Sequence, residues 1–249
     1  AATDYNAEAF RSPFQCQVGE HVDHVEFGGP IPEDLSRYGA VLVEPVQGRG
    51  GMREPPEGWL ASLADRAEKD GALVVFDEIY TGFGRTGDWF AFQHASLEGR
   101  RPDILCLGKA LAGGFPLSAC LGTAAAMDAW GASSGQAIHT QTFLGNPLGC
   151  SMGLASLEAL RSIIPAAKET GNWLRARLED RGFRVRGRGL MLGIERDDAL
   201  LLSRRLLEEG FIALPAGAAA EVLAVTPPLT VTREQLAAFM DCLQTLVRS

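Results

Sequence analysis

The fold is decided at residues 73–87, which read LVVFDEIYTGFGRTG. Their first four residues form an apolar run that ends at Asp77. Residues 59–70 come before this run and alternate apolar and charged side chains at helical spacing, and Gly71 closes that stretch as a C-terminal glycine does. Another apolar run, at residues 40–43, precedes the helix. Strand, helix and strand in this order predict a parallel sheet, whose buried strands are uniformly apolar.

Further elements follow from the same patterns. Residues 1–38 are expected to be irregular because they are rich in turn residues. The remaining apolar runs and helical stretches predict strands at 104–107, 117–121, 190–194, 211–214 and 222–225, helices at 166–181 and 199–209, and a last helix that begins at a capping box of Thr232 and Gln235.

The chain is predicted to divide at a connector helix. Asn146 and Pro147 form a good helix start, with Asn as the cap and Pro at the first helical position, and this helix is expected to run to about Arg161. We therefore expect residues 1–152 to form part of a large α/β domain. Residues 153–249 would then supply the connector and a smaller α+β domain.

Composition excludes several classes of protein. The chain has 249 residues, of which 46% are hydrophobic and 22% charged, and its formal net charge is −8. This acidic balance argues against nucleic acid as the main partner, since binding to phosphates needs a basic face. No apolar run approaches the ~20 residues that span a bilayer. The start lacks the features of a secretion signal, and the five cysteines are scattered without metal-type spacing, so a cytoplasmic protein is expected.

Asp77 and Lys109 are the first candidates for chemistry. Each ends an apolar run, so both side chains can face the crevice at the carboxyl ends of parallel strands. Pyridoxal phosphate needs such a pair: a lysine holds its aldehyde as a Schiff base, and a carboxylate keeps its ring nitrogen protonated. Taken singly, either residue is more often a helix cap or a solvated amine.

Four motifs in order resemble those of the class III aminotransferases, which include ornithine, acetylornithine and ω-amino-acid aminotransferases. They are VEPVQG at 43–48, DEIYTGFGRTG at 77–87, PD and GK at 102–103 and 108–109, and TFLGNP at 142–147. The resemblance implies the large and small domains of fold-type I pyridoxal-phosphate enzymes. It also implies that a long N-terminal portion of the large domain is missing from this chain.

The resemblance assigns roles to further residues. Ile79 would pack on the cofactor ring, and Tyr80 stands where ornithine-type members often have a glutamine that contacts the cofactor's phenolic oxygen. Thr142 matches a threonine that binds the phosphate of the neighbouring subunit's cofactor, which implies a homodimer with shared active sites. The alternative for Thr142 is an ordinary turn residue. Glu78 should point to the opposite face of its strand and support structure, and Arg85 is left unassigned.

Two departures from the family concern the substrate. Ornithine-type members have a glutamate where this chain has Arg49 and an arginine where it has Ala224, and in the family these two residues form a switchable pair. The change predicts a donor that needs no α-carboxylate, such as a terminal amine or an ω-amino acid. Glu44 and Arg49 are then candidates for contacting substrate, and Arg49 could hold the carboxylate of a keto acid. The alternative is that Arg49 is a solvated loop residue.

The predicted activity is amino-group transfer from a primary amine to a keto acid in two half-reactions. An intramolecular aminomutase or racemase of the same fold remains open, and so does a non-catalytic cofactor-binding subunit, although the latter would have no need of both Asp77 and Lys109. A nicotinamide dehydrogenase is disfavoured because the chain lacks a glycine fingerprint between a strand and a helix.

Overall fold

The structure is a computed structural model, which describes residues 2–4, 21–94, 97, 101–129, 131, 135 and 142–248. Within these residues the strands are β1 Ala2–Asp4, β2 His24–Glu26, β3 Ala40–Val43, β4 Leu73–Asp77, β5 Ile104–Leu107, β6 Ala119–Gly122, β7 Val185–Arg188, β8 Met191–Glu195, β9 Leu214–Ala216 and β10 Val222–Val225. The α-helices are α1 Trp59–Asp70, α2 Ala124–Asp128, α3 Pro147–Asp180, α4 Ala199–Glu208 and α5 Arg233–Arg248.

The first sheet is mostly parallel, as the sequence predicted. Its strand order is β2-β1-β3-β4-β5-β6, and only the pairing of β5 with β6 is antiparallel. The prediction that residues 1–38 are irregular was wrong in two places, because β1 and β2 lie within them. The sequence did not indicate these strands, since three residues are too few to show a periodic pattern.

Helix α1 has the bounds that the sequence predicted, and one of its faces is buried. Trp59, Leu60, Leu63 and Ala67 all lie in the core. Gly71 ends the helix in the left-handed conformation, with φ 77°, which a glycine adopts without steric cost. The helix thus covers the first sheet and leads directly into β4, the strand that ends in Asp77.

Helix α3 is a single helix of 34 residues, whereas the sequence predicted two helices with a break after Arg161. Asn146 caps it as predicted, since its Oδ1 accepts from the backbone N–H groups of Leu148 and Gly149 at 2.9 and 3.2 Å. Pro165 lies inside the helix and removes one backbone donor. Burial on both sides of this proline, by Ile164 and Ala167 among others, compensates for that loss.

The second sheet is antiparallel, with the order β7-β8-β10-β9. Strand β10 has its predicted bounds, but β9 begins at Leu214 rather than lying at 211–214, and β7 was not predicted. Helices α3, α4 and α5 contribute to its core. The capping box of the last helix is confirmed: Gln235 Oε1 accepts from Thr232 N–H at 3.0 Å, and Thr232 Oγ1 accepts from Gln235 N–H at 3.2 Å. None of the helices in the described part of the chain is both long and apolar enough to cross a membrane.

Candidate active site

Three charged residues gather where neighbouring strands end. Glu44 directly follows β3, Asp77 is the last residue of β4, and Lys109 follows β5 after one glycine. The strands are adjacent and parallel, so their carboxyl ends meet at one edge of the sheet. Asp77 and Lys109 both act electrostatically on Glu44, which places the three groups within range of one another.

Asp77 is partly buried and is held by its own turn. Its Oδ1 accepts from the backbone N–H of Ile79 at 3.0 Å. The next residue, Glu78, donates its backbone N–H to the carbonyl oxygen of Cys106 at 3.0 Å, which extends the contact with β5 beyond the strand. The carboxylate therefore has a fixed orientation and one oxygen with no hydrogen bond to a described residue.

Lys109 has an unusual backbone conformation. Its φ is 39°, in the left-handed region that non-glycine residues rarely adopt. It opens a short 3₁₀ helix, Lys109–Ala112. The apolar run and the glycines around Lys109 predict a desolvated amine, as a Schiff-base lysine needs, but the structure shows its side chain exposed. The Nζ lies 4.6 Å from the centre of the Tyr80 ring, so an aromatic face covers one side of the amine.

Tyr80 joins the two sheets at this edge. Its hydroxyl donates to Oγ1 of Thr226 at 3.3 Å, just after β10, and its ring packs against the cluster that contains Ala224. A Cβ at Gly48 would overlap the Tyr80 ring, so the glycine of the 43–48 motif lets the loop approach the aromatic face. Thr226 was missed by the sequence reasoning, because nothing local indicates that it meets a residue 146 positions earlier.

Glu44 is half-buried and titrates near neutrality. Burial is the main cause that raises its pKa, and the negative charge of Asp77 also raises it, so that the net pKa is about 7 instead of the usual 4.5. The Gly48 N–H, which donates to Glu44 Oε2 at 3.1 Å, and the charge of Lys109 both lower this pKa. At neutral pH the side chain can therefore hold or release a proton beside the amine.

Two neighbouring charged residues have structural roles. Glu78 is fully buried and accepts from the backbone N–H groups of Ala91 and Phe92 at 2.9 and 2.8 Å, which agrees with its predicted supporting role. Arg85, left open by the sequence, donates to the carbonyl oxygens of Leu190 and Pro227 at 3.0 and 2.6 Å. Burial lowers the pKa of Arg85, and both of its bonds tie the active-site segment to the second sheet.

The remaining predicted residues are Arg49 and Thr142. Arg49 is exposed and forms no ion pair with any residue that the structure describes, although its carbonyl oxygen accepts from Gly217 N–H at 2.9 Å. Its loop therefore borders β9 and β10, where Ala224 is buried. Thr142 is exposed in the turn before α3 and makes no hydrogen bond to a described residue. Among the described residues, neither Thr142 nor the Arg49 side chain forms a hydrogen bond or ion pair with Asp77 or Lys109.

The donor set at the sheet edge fits pyridoxal phosphate. Asp77 offers a fixed carboxylate for a protonated ring nitrogen, and Lys109 offers a primary amine. Ile79 packs against Gly108, directly before that lysine, because a Cβ at Gly108 would lie 3.3 Å from Ile79 Cγ2. Ile79 thus binds Asp77 through its backbone and packs beside the residue before Lys109, and its aliphatic side chain is suited to support a flat ring.

Comparison with known proteins identifies relatives that cover most of the chain. A family model described as Aminotransferase class-III matches residues 32–247. Acetylornithine aminotransferases from Methanosarcina mazei and Methanopyrus kandleri are 33% and 38% identical, over 94% and 91% of this chain. The chain spans 59% of the length of each of these relatives.

Solved structures agree with this relationship. Acetylornithine aminotransferase from Elizabethkingia anophelis has a TM-score of 0.78 at 32% identity, over 91% of this chain and 59% of its own. Ornithine aminotransferase from Toxoplasma gondii has a TM-score of 0.83 at 27% identity, over 98% of this chain and 62% of its own. The motifs, the fold and the extent of these matches lead to one conclusion: the chain belongs to the class III aminotransferases.

Proposed function

We propose that the protein is a pyridoxal-phosphate-dependent aminotransferase that moves an amino group from a primary amine to a keto acid. The observation that carries this proposal is the convergence of Glu44, Asp77 and Lys109 at the ends of three adjacent parallel strands. An acid, a base and a fixed carboxylate at one edge are what two successive proton transfers require.

The residues would divide the chemistry between them. Bound pyridoxal phosphate supplies an electron-accepting ring and a carbon that carries the amino group in transit. Asp77 would hold a proton on the ring nitrogen through a charge-assisted hydrogen bond. The amine of Lys109 would bind the cofactor between turnovers, and during turnover it would take a proton from the substrate carbon and return it at the carbon that receives the amino group.

The amine donor is proposed to be a terminal amine or an ω-amino acid. Ala224 is buried among apolar side chains beside Tyr80, so this position itself supplies no cation to a donor's α-carboxylate. Curated relatives are named acetylornithine aminotransferase. The buried Ala224 is therefore the observation that supports a donor that needs no α-carboxylate.

Arg49 is proposed to hold the carboxylate of the keto acid. It is exposed, without an ion pair to a described residue, on a loop whose backbone is fixed by Gly217. A guanidinium in this position can form a bidentate pair with a carboxylate. Glu44, which can carry a proton near neutrality, would act beside the amine of Lys109, whose charge already affects it.

A homodimer with shared active sites is proposed as the working assembly. Four large apolar side chains around the start of α3 are exposed, at Phe143, Leu144, Leu148 and Met152. An apolar surface of this kind is typical of an interface with a second chain. Thr142 adjoins it and would bind the phosphate of the partner's cofactor. The boundary between large and small domains is proposed at residues 152–153, within α3.

The test is to load the purified protein with pyridoxal phosphate, reduce it with borohydride and map the labelled peptide. The chain has three lysines, Lys69, Lys109 and Lys168, and label is expected on Lys109. In single-turnover assays of the unreduced protein, the amino group should pass from the donor to the cofactor without a keto acid. It should leave the cofactor only when a keto acid is added. Turnover without a keto acid would favour an aminomutase or racemase, and label on Lys69 or Lys168 would refute the proposed site.

A further inference from the structure

Two cysteines face each other across the last pair of strands in the first sheet. Cys106 on β5 is paired in register with Cys120 on β6. Both are free thiols. No residue lies between the two positions on this face of the ladder, because antiparallel partners that are directly opposite have neighbouring side chains.

The register places this pair at the closer of the two kinds of antiparallel position. One step beyond the ladder, Thr123 N–H donates to Asp103 O at 2.8 Å, so that pair is a hydrogen-bonded one. The two kinds alternate along the ladder, and therefore Cys106 and Cys120 form a non-hydrogen-bonded pair. Such partners have Cα atoms about 4.5 Å apart. This lies at the short end of the range that a disulfide bridges, about 4.4–6.8 Å.

The surroundings of the two thiols differ. Cys120 is exposed and Cys106 is partly buried. Burial, the hydrogen-bonding contact with Cys120 and the charge of Asp77 all raise the pKa of Cys106. Cys106 is also the register partner of Asp77 on β4, so the thiol pair lies directly beside the proposed ring-nitrogen carboxylate.

We propose that Cys106 and Cys120 are a reversible thiol–disulfide site, oxidised by low-molecular-weight disulfides. The exposed Cys120 thiolate attacks a disulfide RSSR, forms the mixed disulfide and releases one thiol RSH. The Cys106 thiolate then attacks the Cys120 sulfur and releases the second RSH. The two cysteines lose two electrons and two protons, and one RSSR becomes two RSH. A dithiol reverses the reaction.

Oxidation of Cys106 and Cys120 would change the backbone that supports the active-site residues. The carbonyl of Cys106 accepts from Glu78 N–H, and Lys109 lies three residues further along the same chain segment. Adjusting the Cys106 backbone to a disulfide would therefore move the supports of both Asp77 and Lys109. This second step rests on the proposed function, and it predicts that the linked protein turns over more slowly until a dithiol is added.

The experiment treats the purified, reduced protein with oxidised glutathione, alkylates the remaining thiols and digests without reduction. Tryptic peptide 101–109, which contains Cys106, should be linked to peptide 110–161, which contains Cys120 and Cys150. Cys150→Ser is the matched control because Cys150 is also an exposed free thiol, and this variant should keep the link. Cys120→Ser should abolish it, and Cys106→Ser should leave glutathione on Cys120.

Each outcome has a defined meaning. A link that survives Cys120→Ser, a link between two chains, or a stable glutathione adduct on Cys120 of the unmodified sequence would overturn the disulfide site. The masses of the linked and modified peptides test the disulfide site independently of whether the protein transfers amino groups. A link that forms without slowing turnover would overturn only the coupling to the active site, and no turnover in the reduced protein would instead count against the proposed function.

Discussion

The two sheets contribute different things to the candidate active site. The first sheet is mostly parallel, and three of its strands end together in Glu44, Asp77 and Lys109. The second sheet is antiparallel and offers backbone carbonyls, the hydroxyl of Thr226 and the small side chain of Ala224. We therefore expect that changes in the first sheet stop the reaction, whereas changes that involve the second sheet alter stability or substrate choice.

The largest expected effect is that of Lys109→Ala. Removing the amine removes the proposed group that moves the proton, so kcat should fall on the order of 10⁴-fold while non-covalent cofactor binding persists. Lys69→Ala is the matched control, since Lys69 is an exposed lysine at the end of α1. The measurement is kcat together with cofactor retention. Near-normal turnover in Lys109→Ala would show that the first sheet does not supply the group that moves the proton.

A smaller loss is expected for Asp77→Asn, which keeps the shape but removes the negative charge. The ring nitrogen would lose the partner that keeps it protonated, and about 3–4 kcal/mol of transition-state stabilisation should go with it, or roughly 10²–10³-fold in kcat. Asp128→Asn, in an exposed position at the end of α2, should have no effect. An unchanged kcat in Asp77→Asn would exclude the proposed role.

The residues of the first sheet could be predicted from the sequence, whereas contacts with the second sheet could not. Glu44, Asp77 and Lys109 were predictable because each follows an apolar run, and parallel strands ending at one edge bring such residues together. Family membership also confirms the fold type and the cofactor. The contact of Tyr80 with Thr226 was not predictable, since it depends on how the second sheet packs beside the first.

Local patterns also failed where tertiary packing decides the outcome. Pro165 suggests a helix end, yet α3 continues through it because residues on both sides are buried. Strand β7, at Val185–Arg188, alternates arginines with valine and glycine, so its sequence carries no apolar signal. Lys109 is exposed and has a left-handed backbone conformation, which no propensity would predict for a lysine.

Arg85→Ala tests the connection between the sheets. Arg85 donates to the carbonyl oxygens of Leu190 and Pro227, and a buried charged donor contributes about 1.5–3 kcal/mol per hydrogen bond. The free energy of unfolding should therefore fall by about 3 kcal/mol or more, as measured by urea denaturation. Arg161→Ala, at an exposed position on α3, should change it little. Equal stabilities for the two variants would show that the sheets are joined by other contacts.

Glu44→Gln should change the pH dependence of stability in the cofactor-free protein. Because burial raises the folded-state pKa from 4.5 to about 7, folding favours the protonated carboxyl. That contribution is fully present below pH 4.5, is lost as pH rises, and is gone above about pH 7. The unmodified protein should lose about 3 kcal/mol across this window that the Gln variant retains. Glu68→Gln, exposed on α1, is the control, and parallel curves for Glu44→Gln and the unmodified protein would contradict the shift.

The smallest effect is expected for Tyr80→Phe, which tests the contact between the two sheets directly. This change keeps the ring over Lys109 Nζ and removes only the hydroxyl that donates to Thr226 Oγ1. One neutral hydrogen bond contributes about 1 kcal/mol, so kcat/KM should fall about fivefold, with most of the change in KM for the amine. Thr226→Val removes the other partner, and a double-mutant cycle should give an interaction energy near that value. If the two changes are additive, the hydroxyl contact does not couple the sheets. If instead both variants lower kcat and leave KM unchanged, Tyr80 acts on the reacting atoms rather than on the shape of the donor pocket. The second sheet would then contribute to the chemistry that we assign to the first.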